Sequence, residues 1–198
     1  MFDKISYCKS FRYPLTLCIV FVRIVWGVFF VKICVFSDTH GDITGMDLVI
    51  PHVNPDMIIH LGDYASDAAE IDYMYPDIGV LSVCGNCDRD RSAGFEKVTE
   101  LGGKRFYLVH GNQFNMSRAR ALYAPCKDLA DYARDLGVDI VLFGHTHSPL
   151  TALDGDLLLM NPGSASMDRY ESKAPTFGLI DLGEKNIALK IMSIELFK

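Results

Sequence analysis

Positive charge is scarce in this 198-residue chain: 19 Lys and Arg stand against 25 Asp and Glu, for a formal net charge of −6 and a pI near 5.4. A sequence-independent nucleic-acid binder needs a basic surface, so that class is excluded. A phosphate-handling enzyme is not excluded, because bound cations can supply the missing charge. A disulfide framework is also lacking, since Cys8, Cys18, Cys34, Cys84, Cys87 and Cys126 have neither the density nor the spacing of one. Cys84 and Cys87 form a C-x-x-C with no second pair to complete a zinc site. Reduced cytosolic thiols are the expectation, with a thioredoxin-like redox pair as the alternative. Repeats, low-complexity tracts and linkers are absent from 31–198, which reads as one domain.

An uninterrupted membrane-length apolar run is missing too. Between Leu15 and Val31 fourteen of seventeen residues are apolar, but Arg23 sits mid-run, where a charge costs roughly 2.5–3.5 kcal/mol in a membrane. The run falls short of the ~20 residues that span a bilayer, and no small-residue cleavage site follows it. Residues 1–30 are therefore read as a hydrophobic extension to a domain at 31–198. They are an anchor, a pre-strand or signal remnant, or upstream sequence translated ahead of a start at Val31. The expected location is the cytoplasm, with a membrane-anchored form as the alternative. The extension carries Lys4, Lys9, Arg12, Arg23 and Asp3, a net +3, so the domain's 15 basic and 24 acidic residues leave it at −9.

What is present is a succession of short β-branched runs, at 31–36, 57–61, 79–84, 105–109, 138–143, 156–160, 176–181 and 187–193. The early runs are almost continuously apolar, as expected of strands buried on both faces. Helices are predicted at 46–53, despite Pro51, and at 126–137, ending on Gly137. The pattern is that of a layered α/β domain whose last third is mainly β.

Aspartate and histidine gather just after these strands: Ser37-Asp38-Thr39-His40-Gly41, Gly62-Asp63, Gly85-Asn86-Cys87-Asp88, Val109-His110-Gly111-Asn112 and Gly144-His145-Thr146-His147. Each turn carries a glycine, which permits tight turns and close backbone approach. One such turn is weak evidence, because a strand-end histidine is more often structural than a ligand. Five in order are different, because the carboxyl ends of parallel strands converge on one crevice. Asp38 and His40, spaced i and i+2, face the same way in extended chain and can grip one ion. A donor set of carboxylate, imidazole and amide suits Mn, Fe, Ni, Co or Zn. Seven donors exceed the needs of one ion, so two adjacent divalent ions are expected.

The ordered series DTHG, GD, GNCD, VHG and GHTH resembles the calcineurin-like metallophosphoesterases, and the short GNCD form most resembles the small YfcE-type phosphodiesterases. The resemblance covers 31–198 and none of 1–30. It implies a four-layer α/β/β/α sandwich of two mixed sheets flanked by helices. It also implies one metal on Asp38, His40, Asp63 and His147, and a second on Asp63, Asn86, His110 and His145, with Asp63 bridging. The implied activity is hydrolysis of small-molecule phosphodiesters by in-line attack of a metal-bound hydroxide, manganese being the first choice of ion. Asp63, Asn86 and His110 are the candidate catalytic residues. Asp88 joins them, either orienting a ligand or capping a turn. The expected partner is a small phosphoester, with neither nucleic acid nor membrane, and a homodimer is allowed. The alternatives are a phosphomonoesterase and, from another class, a non-catalytic scaffold like the small retromer subunit.

Two positions depart from the family pattern. Cys87 stands where many relatives carry a histidine able to protonate the leaving group, and Asn112 where relatives often have a second histidine. The turn Asn161–Ser164 is expected to shape backbone. His52 and His60 are read as structural, Arg118 and Arg120 as a solvated helix face. Tyr64 and Phe114 either pack the core or line a pocket for a base or an aryl group.

Overall fold

The computed structural model describes residues 23–25, 28–114, 116, 127–167, 174–184 and 186–198. The chain starts with β1 (Arg23–Val25) and β2 (Val28–Phe36), then α1 (Thr44–Val53), β3 (Met57–His60), α2 (Ala65–Met74) and β4 (Gly79–Ser82). It continues through β5 (Glu96–Leu101), β6 (Lys104–Val109), α3 (Lys127–Asp135) and β7 (Ile140–Phe143), and closes with β8 (Leu150–Asp154), β9 (Leu157–Asn161), β10 (Thr176–Gly183) and β11 (Ile187–Ser193). One sheet runs β11-β10-β2-β3-β4 with β1 paired to β2; the other runs β5-β6-β7-β9-β8. Both are mixed: β2, β3 and β4 are parallel, as are β6, β7 and β9, while β10 and β5 are antiparallel to their neighbours.

Side-chain alternation sorts the strands into layers. In β2, Ile33 and Val35 meet Phe106 and Leu108 of β6 and Ile140 and Leu142 of β7 in a core between the two sheets. The residues between them face outward. Cys34 and Phe36 pack under Met46, Val49 and Ile50 of α1 and Ile71 of α2. Tyr107 and Val109 pack under Leu129, Ala130 and Ala133 of α3. Helix, sheet, sheet and helix therefore stack as the four-layer sandwich expected.

Most expected elements appear with ends shifted by a few residues, and the differences have local causes. The strand expected to begin at Val31 reaches back to Val28, and Arg23 pairs with Phe30 across the sheet. Pro51 lies inside α1 near its end, and Asn54 closes the helix in the left-handed conformation at φ 49°. No helix among the described residues is long and apolar enough to cross a membrane. Arg118, Arg120 and Cys126 lie outside the described residues, as do Cys8 and Cys18.

Candidate metal centre

The three parallel strands of one sheet deliver Asp38 and His40 after β2, Asp63 after β3 and Asn86 after β4. The other sheet delivers His110 after β6, and His145 and His147 after β7. The turns are tied to one another through the backbone. The Asp38 N–H donates to Gly62 O at 3.0 Å, His40 N–H to Asp63 O at 3.4 Å, and Gly144 N–H to His110 O at 2.9 Å. Two glycines are needed for close approach. A Cβ on Gly85 would overlap the Asp63 carboxylate and amide, and one on Gly144 would overlap the Ser37 hydroxyl.

Asp38, His40, Asp63 and His147 each offer a ligand atom, all within 4.8 Å of one another. This is the quartet expected for one metal. His147 Nε2 stands 3.1 Å from Asp38 Oδ1 and 3.3 Å from His40 Nε2, and His40 Nε2 stands 3.7 Å from Asp63 Oδ2. Of the second expected set, His110 approaches both Asp63 and His145. His110 Nε2 is 3.4 Å from Asp63 Oδ1, and the His110 and His145 rings lie 5.2 Å apart. Asn86 is exposed at the mouth, its amide 3.3 Å from Cys87 Sγ.

Two atoms in this cluster test whether an ion fits. The Ser37 hydroxyl and the His145 N–H both donate to Asp38 Oδ2, at 2.6 and 3.1 Å. Asp38 Oδ1, fully buried, has no hydrogen bond of proper geometry. The His110 Nδ1–H donates to Leu61 O at 2.8 Å, so in the neutral ring Nε2 is the acceptor, and it too is buried without a hydrogen bond. These orphans lie 4.0 Å apart. Buried polar atoms in folded proteins are almost always paired, and an ion is a standard partner for such atoms. An imidazole held at Nδ1 by a carbonyl is the usual way of orienting a metal-ligating histidine. The donors fit a divalent transition metal.

Charge inside the cluster follows the same geometry. Burial alone would raise the Asp63 carboxyl. The His110 imidazole against it and the Cys87 N–H, 2.8 Å from Oδ1, hold it well below the ordinary carboxylate range. Asp38 is likewise lowered against its burial by His147, His110 and the Ser37 hydroxyl. His110 is raised despite burial, by Asp63 and Asp38. His145 is lowered, by burial and by the charge of His110. Both carboxylates are thus ionised across the working pH range, as ligation requires.

The backbone around these ligands is unusual. Asp38, His40, Asp63, Tyr64, His145 and His147 all have φ between 52 and 78°, in the left-handed region that side-chain-bearing residues avoid. Such conformations cost of order 1–3 kcal/mol each and persist only where the surroundings over-determine them.

Several supports were foreseen only in outline. Asp88 makes its hydrogen bonds to backbone, accepting from Gly85 N–H at 2.7 Å and from Ala65 N–H at 2.6 Å. It clasps the third turn to the start of α2, which is the capping alternative of the two expected. Asn161 donates to Gly144 O and Thr146 Oγ1 and accepts from Gly163 N–H, while Ser164 donates to Asp38 O. The Asn161–Ser164 turn therefore does shape backbone, that of the two outer ligand turns. Ser37 adds nothing distinctive to the sequence pattern and was missed. Phe114 packs 5.7 Å from the Tyr132 ring of α3, whereas Tyr64 stands 5.8 Å from the ring of His40. His52 is exposed on α1 and His60 is fully buried.

A two-sheet sandwich with carboxylates and imidazoles gathered at its parallel strand ends presents a candidate metal site. Residues 31–185 match the calcineurin-like phosphoesterase superfamily domain, and the chain belongs to that family. It is 32% identical over 159 residues to a probable metallophosphoesterase of Mycoplasma pneumoniae, covering 79% of this chain and 93% of that one. It is 28% identical over 111 residues, 52% of each chain, to phosphodiesterase YfcE of Escherichia coli. Among solved structures, a predicted phosphoesterase of Streptococcus pneumoniae superimposes with a TM-score of 0.66 at 26% identity, covering 84% of this chain and 91% of that one. Vps29 of Entamoeba histolytica, solved with zinc, shares the fold alone, at a TM-score of 0.60 and 21% identity over 82% of this chain and 99% of its own.

Proposed function

We propose that this protein hydrolyses phosphodiester bonds of small molecules, with in-line attack by water and two divalent transition-metal ions as cofactors, manganese first among them. The observation that carries the reading is the quartet Asp38, His40, Asp63 and His147, in and beside which Asp38 Oδ1 and His110 Nε2 are buried without a hydrogen bond. Asp38, His40, Asp63 and His147 would hold one ion, and Asp63, Asn86, His110 and His145 the other. Two such ions acidify a shared water and neutralise the charge that develops on the phosphoryl oxygens.

The chain's own residues do the positioning. The Leu61 carbonyl fixes the His110 tautomer, and the Ser37 hydroxyl and His145 N–H orient the Asp38 carboxylate. Cys87 N–H holds the carboxylate of Asp63, the residue shared by both sets. Asp88 acts as a positioning residue by fixing the two turns on either side of Asp63 and Asn86. No serine or cysteine nucleophile is called for, because attack is direct.

The test is hydrolysis of bis-p-nitrophenyl phosphate and of p-nitrophenyl phosphate by one preparation, with manganese added and bound metal measured. The diester is expected to turn over faster, with both metal and turnover lost in Asp63→Ala. A faster monoester would make the protein a phosphomonoesterase. Tightly bound metal with no turnover would make it a scaffold.

A further inference from the structure

The residue after Asp63 is in an odd position. Tyr64 is the N-cap of α2, where a short polar side chain or glycine is usual, and its own side chain makes no capping hydrogen bond. Its backbone is left-handed, at φ 78° and ψ 62°, a conformation that is rare for a bulky residue. The surroundings hold it there. Asp67 N–H donates to Tyr64 O at 2.9 Å, and Ala65 N–H is held by Asp88 at 2.6 Å. Glycine or asparagine would serve this backbone with less strain, so the reason for tyrosine lies in its ring.

Tyr64 is 39% exposed, and its ring stands 5.8 Å from the ring of His40, tilted by 59°. It passes beside Gly41, where even a methyl group would come within 3.4 Å of Tyr64 Cε1. The fixed turn thus holds a half-open aromatic face next to His40, one member of the buried quartet. Rigid aromatic faces of this kind take planar π-systems by offset or edge stacking.

We infer that Tyr64 is a specificity-determining residue that stacks the aromatic substituent of the substrate, so that the preferred substrates are aryl or nucleoside phosphoesters rather than alkyl ones. This rests on the phosphodiesterase reading and names the substrate class for that site. Phenyl phosphate and methyl phosphate carry the same phosphoryl group and differ in the ring, so their ratio of dissociation constants isolates the stacking.

The experiment measures both ligands by titration calorimetry on the manganese-loaded wild-type, Tyr64→Phe and Tyr64→Asn proteins. Phenyl phosphate should bind about tenfold more tightly than methyl phosphate in the wild type and in Tyr64→Phe, which keeps the ring. The ratio should fall close to one in Tyr64→Asn. Asparagine accepts positive φ readily, so this variant should melt no lower than the wild type, which separates lost stacking from lost folding. A ratio near one in the wild type, or an unchanged ratio in Tyr64→Asn, overturns the inference. Turnover of bis-p-nitrophenyl phosphate without a ring preference rejects the inference alone. Ring preference without turnover supports the inference and rejects the hydrolytic reading. Binding of neither ligand, with no turnover, rejects both.

Discussion

At the scale of single residues, His60 has its ring committed to the neutral form. Its Nδ1 accepts the Gly62 N–H at 3.3 Å, and its Nε2–H meets the Thr39 hydroxyl at 3.0 Å, which in turn donates to Asp63 O. Burial pushes its pKa down to about 4, so on acidification the unfolded chain takes up the proton first. Stability from this residue is complete above about pH 6.5 and is lost as pH falls toward about 4, up to about 3 kcal/mol. His145, also lowered, acts in the same direction. Melting temperatures at pH 7.5 and 4.5 should therefore fall less with acid in His60→Gln than in the wild type, and parallel falls would refute the assignment. Cys87 is the other residue with a chemical consequence. It is exposed beside Asn86, and a thiol there is a poor proton donor compared with an imidazole. Cys87→His should speed hydrolysis of alkyl diesters about tenfold or more, measured against an aryl diester that needs no such help. No gain on the alkyl ester would count against a role in leaving-group protonation.

Secondary-structure elements show which parts of the molecule announce themselves. The inner strands β3 and β7 are buried along their whole length, so they need continuous apolar runs that stand out in the sequence. The edge strands β5 and β8 alternate exposed and half-buried residues, and β5, with Glu96, Lys97 and Glu100, looks like loop. Helix α2 buries only Asp67, Ala68 and Ile71, too thin a stripe to see, and it was missed. The ligands were legible because chemistry fixes their types. Ser37 and the left-handed backbones were not, because their roles exist only once two distant turns meet. Gly85 is legible in the sequence as a glycine permitting close approach, and the structure shows that what approaches is Asp63. Gly85→Ala would drive a Cβ into the Asp63 carboxylate, and we expect at least a tenfold loss of metal affinity, read as metal retained per chain after dialysis. Asn161→Ala strips two hydrogen bonds from the Gly144–Thr146 turn and one within its own turn, and should cost about 2–3 kcal/mol in urea unfolding.

The molecule as a whole joins two unlike charge balances, −9 over residues 31–198 and +3 over residues 1–30, and two of its carboxylates, Asp38 and Asp63, stand in the candidate metal cluster. Divalent ions bound there would offset that negative charge and, by binding the folded chain alone, would add to its stability. At a free metal concentration a thousand times the dissociation constant the gain is about 4 kcal/mol, or roughly 10 °C in melting temperature for a chain of this size. Chelation by EDTA should lower the melting temperature of the wild type by that order and leave Asp63→Ala unmoved. Equal melting of the wild type with and without EDTA would contradict metal binding at this site.

The quartet has three members on one sheet and His147 on the other, so an ion held there fastens the two halves of the sandwich across their seam. Free-energy coupling of this kind is reciprocal. Whatever the ion gives to the cohesion of the sheets, the cohesion of the sheets gives back to the ion. Trimming Leu142 or Phe106 in the core between the sheets, remote in sequence from most of the ligands, should loosen the grip on the metal, and metal affinity then serves as a gauge of how firmly the two sheets are pressed together.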